Sequence, residues 1–179
     1  MKNTLFIFDW DDTLFPTSYI ISSFLNIEKF PLFNKLDLYL SHFLDCVKNY
    51  GDIMIITNAT LSWIHTLLFL LPKTKSILLN YPIISARDSL LNFEYKNKSD
   101  IWKINVFNSY IDKINKYSII FNIGDSMNEH NALKYLLDNR KLNNKITISY
   151  KLMDNPTYFQ LIIEWFKLRN YIERHVKIQ

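Results

Sequence analysis

Asp9 and Asp11 stand two positions apart, directly after a short apolar run, in the stretch Phe6-Ile7-Phe8-Asp9-Trp10-Asp11-Asp12-Thr13-Leu14. In extended backbone, residues at i and i+2 point to one side, so the two carboxylates are expected to face the same way. Like charges that close raise each other's pKa unless a cation neutralises them. The pair reads as a site for metal or chemistry, or else as an acidic turn. Residues 117–123 form a second apolar run that ends in an acid, Gly124-Asp125, with Glu129 four residues later. If the two runs are neighbours, Asp125 completes an oxygen cage with Asp9. Hard oxygen donors, with no Cys and only His130 beside them in sequence, suit Mg²⁺. A third run, residues 53–56, ends in Thr57-Asn58, whose hydroxyl and amide can hold an anionic oxygen.

A phosphate site also needs a fixed positive charge. A helix opened by Ser99 or Asp100 carries Lys103 in its first turn. At about 100° per residue, Ile101, Ile104, Phe107, Ile111 and Ile114 define its buried side, and Lys103 falls at the margin of that side. Lys98 projects away from it. A lysine near a helix N-terminus opposes the macrodipole, and a locally unfavourable charge beside a core is where function is expected.

The elements that must position these groups alternate along the chain. Thr4–Phe8 reads as a buried central strand, and residues 19–50 as helices interrupted near Pro31. Residues 53–56 form a second strand, Thr60 caps a helix that stops before Pro72, and residues 76–85 hold a third strand marked by Pro82. The helix with Lys103 runs to about Asn115, the strand over 117–123 follows, and another helix extends to about Asn139. A strand over 145–149 precedes a last helix with Pro156 in its first turn, reaching about His175. Strand and helix in alternation predict a doubly wound α/β domain around a parallel sheet, with residues 1–179 as one domain. In such sheets ligands bind beyond the carboxyl ends of the strands, where all these polar residues fall.

The four polar clusters, in this order, resemble the motifs of the haloacid dehalogenase superfamily of phosphohydrolases. Its first motif, a hydrophobic strand then Asp-x-Asp-x-Thr, is matched by Asp9, Asp11 and Thr13. Thr57 matches the second motif, Lys103 the third with Lys98 in reserve, and Gly124-Asp125 with Glu129 the fourth. The form Asp-Trp-Asp-Asp-Thr-Leu with Trp102-Lys103 is similar to a group of capless protist and viral members. The resemblance implies a Rossmann-like fold, Mg²⁺, and an aspartyl-phosphate on Asp9. It implies Asp11 as general acid and base, and Thr57, Asn58 and Lys103 on the phosphoryl oxygens. Metal contacts would come from Asp9, Asp125, the main-chain carbonyl of Asp11 and, directly or through water, Glu129. The segments between motifs are too short for a separate cap core, so an open site is expected, able to admit a phosphorylated macromolecule.

Composition bounds the alternatives. Among 179 residues there is one cysteine, Cys46, which excludes an intrachain disulfide and a Cys-rich zinc site; it is expected to be buried. The longest apolar run is far short of the ~20 residues that span a bilayer, and the N-terminus lacks a signal-peptide pattern, so a cytoplasmic protein is expected. The net charge of +4 comes from scattered basic residues, whereas a nucleic-acid binder clusters them. A protein that senses phosphate without turnover keeps the same fold, but the complete pair of Asp9 and Asp11 argues against a lasting phospho-aspartate. Trp10 is read either as a core wedge or as a stacking surface for substrate, and His130 is the one histidine expected near the site.

Overall fold

The computed structural model describes residues 3–23, 32–89 and 99–176. Five strands form one sheet in the order β3-β2-β1-β4-β5: β1 (Thr4–Phe8), β2 (Asp52–Thr57), β3 (Ile83–Ser85), β4 (Ile119–Gly124) and β5 (Ile146–Lys151). Every pairing is parallel, with Phe8 opposite Ile55 on one side and Ile123 on the other. Parallel sheets need both faces covered, and alternation along the strands shows the two faces being served. Phe6, Phe8, Ile53, Ile55, Phe121 and Ile123 belong to one core, while Leu5, Ile7, Met54, Ile56 and Ile120 belong to the other.

Helices α1 (Thr17–Ser22), α2 (Phe33–Val47), α3 (Leu61–Leu70), α4 (Pro72–Leu78) and α8 (Tyr158–Val176) bury apolar residues on the first face. Helices α5 (Ser99–Ser109), α6 (Ile111–Ile114) and α7 (Met127–Asp138) do so on the second. The doubly wound parallel architecture expected from the sequence is therefore present. Helix α2 puts Leu36, Leu40, Phe43, Leu44 and Val47 into the sheet core, so it covers the sheet face. No described helix is long and apolar enough to cross a membrane.

Several local expectations need correction. Residues 76–85 hold the third strand only at Ile83–Ser85: Pro72 opens helix α4, where its missing N–H costs nothing, and that helix runs to Leu78. The start of α4 is capped from a distance, since Asp37 of α2 accepts from the amides of Lys73 at 2.9 Å and Thr74 at 2.8 Å. The helix carrying Lys103 breaks at Tyr110 into α5 and α6. Pro156 sits just outside α8, whose entry is closed by Thr157 and Gln160: Thr157 N donates to Gln160 Oε1 at 2.9 Å. Cys46 is half-buried, with Sγ 3.8 Å from Glu173 Oε1. Pro31 and Lys98 lie outside the described residues.

Both glycines are explained by close approach. A Cβ on Gly51 would lie 2.5 Å from the Thr4 carbonyl oxygen. One on Gly124 would lie 2.4 Å from Glu129 Cγ, so only glycine lets the Glu129 side chain cross the end of β4. The left-handed positions are taken instead by Asp12, Arg140, Asn144 and Asn155.

Candidate functional site

Strand β1 is central, and its ladder with β4 continues one residue beyond the strand, with Asp9 N donating to Ile123 O at 2.9 Å. There the chain turns sharply. The Trp10 carbonyl accepts from the amides of Thr13, Leu14 and Phe15, and Asp12 takes a left-handed φ of 54°. Asp12 is suited to that conformation, and its carboxylate is held by Ser18 N at 2.9 Å and by Ser18 Oγ. Trp165 of α8 fastens the turn from below by donating from Nε1 to the Thr13 carbonyl at 2.8 Å.

Beyond the strand end the two aspartates have different partners. Asp9 is buried and its Oδ1 lies 2.7 Å from Lys103 Nζ. Asp11 instead accepts from Thr17 Oγ1 and, at 3.4 Å, from Trp63 Nε1, on the side of α1 and α3. Trp10 is fully buried and stacked on Phe15 with ring centroids 6.2 Å apart, which makes it a core wedge and removes it as a stacking surface for substrate.

Lys103 lies in the middle of the buried stripe of α5, with Trp102, Val106 and Phe107, and not at its margin. Its side chain is 2% exposed, and its ammonium bridges Asp9 and Glu129. Burial pushes the ammonium's pKa down, but Asp9 and Glu129 outweigh that and hold it above the ordinary lysine value. An ammonium has three donors, and among the described residues only Asp9 and Glu129 pair with this one, so a donor can reach a ligand oxygen.

Glu129 enters the site from the first turn of α7. Its Oε1 takes Lys103, while its Oε2 accepts from Ser126 N at 3.1 Å and Ser126 Oγ at 2.7 Å, the reciprocal half of a capping box. Asn122 of β4 secures the same turn by donating from Nδ2 to the Glu129 carbonyl at 2.6 Å. With both oxygens engaged by protein donors, Glu129 sits as the anchor of Lys103. The signature Ser126-x-x-Glu129 is readable in the sequence, and it marks this role. Asn122 carries no comparable signal.

Asp125 follows β4 as Asp9 follows β1, and the two stretches are tied by Thr13 Oγ1, which donates to Asp125 Oδ1 at 3.3 Å. Thr57 is wholly buried at the end of β2, and its Oγ1 accepts from Ala59 N at 3.1 Å, so its own proton is left to donate to a ligand. Asn58 is half-buried in the same loop. His130 is exposed and turned to Ser149, at 3.3 Å, away from this cluster.

Comparisons of this chain with protein-family models, curated proteins and solved structures return no match. The chemistry has to be read from the cluster itself. Asp125's carboxyl is pushed up to about 7, first by burial and then by Asp9, Glu129 and Asp12. Asp9 is pushed up to about 6, because burial outweighs the opposing Lys103. An excess of negative charge thus gathers where β1 and β4 end. Among the described residues no three His, Cys, Asp or Glu side chains form one metal-binding group. Mg²⁺ needs fewer: it keeps several waters and takes one or two carboxylates, so Asp9 and Asp125 with a main-chain carbonyl fit it.

These shifts carry a sign. Asp9 and Asp125 bind protons more tightly in the folded chain than in the unfolded one, so in EDTA their contribution to stability is greatest below the ordinary aspartate value of 3.8 and falls as the pH rises toward about 7. Thermal melts in EDTA across that range are expected to show the decline, and Asp125→Asn to flatten it. Added Mg²⁺ competes with those protons, so the Tm increase it produces should grow with pH. A Tm increase independent of pH would contradict metal binding at these carboxylates.

Proposed function

We propose that this chain is a Mg²⁺-dependent phosphomonoester hydrolase of the haloacid dehalogenase type, with Asp9 as nucleophile. The observation that carries the reading is Asp9 itself, a buried carboxylate at the end of the central strand, 2.7 Å from the Lys103 ammonium and tied through Thr13 to the loop of Asp125. Three polar strand ends, β1, β2 and β4, lie side by side in the sheet, as ligand binding at its carboxyl edge requires.

Asp9 attacks phosphorus as the bond to the leaving oxygen breaks, and that oxygen takes a proton from Asp11 to depart as an alcohol. The second step reverses Asp11's role. It removes a proton from water, the hydroxyl oxygen bonds to phosphorus, and the Asp9–phosphorus bond breaks to release inorganic phosphate. The free proton of Thr57 Oγ1 and the third donor of Lys103 face the phosphoryl oxygens and stabilise charge that grows in the transition state. Asp9, Asp125 and the Asp11 carbonyl are the residues that would hold Mg²⁺, which when bound neutralises the meeting anions. Helix α2 is spent on the sheet core, and the reading includes a capless enzyme open to phosphorylated macromolecules.

Phosphate release from p-nitrophenyl phosphate, nucleoside monophosphates, phosphopeptides and end-phosphorylated oligonucleotides tests the proposal. Release is expected with Mg²⁺ and not in EDTA. No release from any of them, or equal release in EDTA, would overturn it. Phosphorylation of Asp9 by acetyl phosphate without turnover would point to phosphate sensing on the same fold.

A further inference from the structure

Asp11 has donors that none of the other site acids shares. Its Oδ1 accepts from Thr17 Oγ1, on the first residue of α1, and lies 3.4 Å from Trp63 Nε1, in the first turn of α3. Oδ2 has no partner among the described residues. Each donor is held independently of Asp11. The start of α3 is fixed by Thr60 Oγ1 on Trp63 N at 3.3 Å and by Asp88 Oδ2 on Leu61 N at 2.8 Å. The start of α1 is fixed by Asp12 on Ser18 N at 2.9 Å. Trp63 is half-buried against the core of the first sheet face, and its helix follows directly on the loop of Thr57 and Asn58.

We infer that Trp63 and Thr17 are positioning residues, which fix Asp11 by one oxygen and leave the other to exchange a proton with the leaving group. This rests on the phosphatase reading above. A carboxylate on a tight turn can rotate about two side-chain bonds, and either oxygen can present itself. Two donors from separate helices on the same oxygen settle both the rotamer and which oxygen is free. Neither donor contacts Asp9 or Lys103, so their removal leaves the nucleophile and its cation in place.

Trp63→Phe keeps the ring and its packing and removes only the N–H; Thr17→Val removes the hydroxyl. The readout is kcat/KM, which reports phosphoryl transfer to Asp9 alone. On β-glycerophosphate, whose alkoxide must be protonated as it leaves, each variant is expected to lose about 10-fold, and on p-nitrophenyl phosphate, whose phenolate leaves unaided, less than about 2-fold. Equal losses on both substrates would assign Trp63 a merely structural role and overturn the inference, as would no loss on either. A second measurement needs no substrate. In ¹H–¹⁵N spectra of the tryptophan indoles, Asp11→Asn should move the signal that Trp63→Phe deletes; if that signal stays put, the contact is absent and the inference fails. Wild-type release that Asp9→Asn abolishes, with Trp63→Phe behaving as wild type, sinks the positioning role alone. Wild type without Asp9-dependent release sinks the phosphatase reading, and this inference with it.

Discussion

Asp9→Asn is expected to lower phosphate release by about 10⁴-fold or more, the scale on which loss of a nucleophile is felt. The amide is nearly the same size as the carboxylate, so packing around β1 is kept. Lys103 retains Glu129 as a partner, so its charge is not stranded. What disappears is the oxygen that can bond to phosphorus, together with half of the carboxylate pair that suits Mg²⁺. Substrate affinity should change far less than turnover, because Thr57 and Lys103 remain to hold the phosphoryl oxygens. Asp11→Asn makes the complementary case. It should lose about 10²- to 10⁴-fold, the usual range for a general acid or base, and leave Asp9 phosphorylated for longer. Intact-protein mass after mixing with substrate reads this directly: one added phosphoryl group in Asp11→Asn, none in Asp9→Asn. A phosphoryl group retained by Asp9→Asn would place the nucleophile elsewhere.

The parts of the fold that were legible share one property: their signal is local. An apolar run broken off by an acid or by Thr-Asn is a buried strand leaving the sheet, and β1, β2 and β4 all announce themselves this way. What could not be read depends on residues far apart. Helix α4 went unread because its first-turn amides are capped by Asp37 of α2 and not by a neighbour in sequence. The expectation for Asp9 and Asp11 continued extended geometry past Phe8, where the chain turns. The actual turn follows from three amides converging on the Trp10 carbonyl and from Trp165, 152 positions along the chain from Thr13, holding it in place.

Lys103 shows the same limit from the other direction. A helical wheel drawn from Ile101 to Ile114 averages over two helices that break at Tyr110, and the average turns the stripe away from its true centre. Hydrophobicity alone also cannot place a lysine in the middle of a buried face. Only the two carboxylates arriving from β1 and α7 make that position tolerable. Glu129 was read among metal contacts because it follows Gly124-Asp125. Its capping-box spacing with Ser126 was equally plain in the sequence and describes its contacts better.

That dependence makes the stability of the cluster sensitive to Lys103. Lys103→Met preserves length and apolar stem but removes the cation between Asp9 and Glu129, and breaking a buried ion pair from one side costs about 3–5 kcal/mol. The carboxylates can escape part of this by taking up protons, since burial already pushes Asp9 upward and the opposing ammonium is gone. Protonation is easier in acid, so the deficit against wild type should be smallest near pH 5 and grow toward pH 8. Urea denaturation at the two pH values measures it. Activity should fall about 10²- to 10³-fold even where the variant is folded, as for loss of one donor to transition-state charge. A Lys103→Met protein as stable as wild type at pH 8 would mean that Asp9 and Glu129 do not rely on this ammonium. The charge pairing on which the whole site is built would then be wrong.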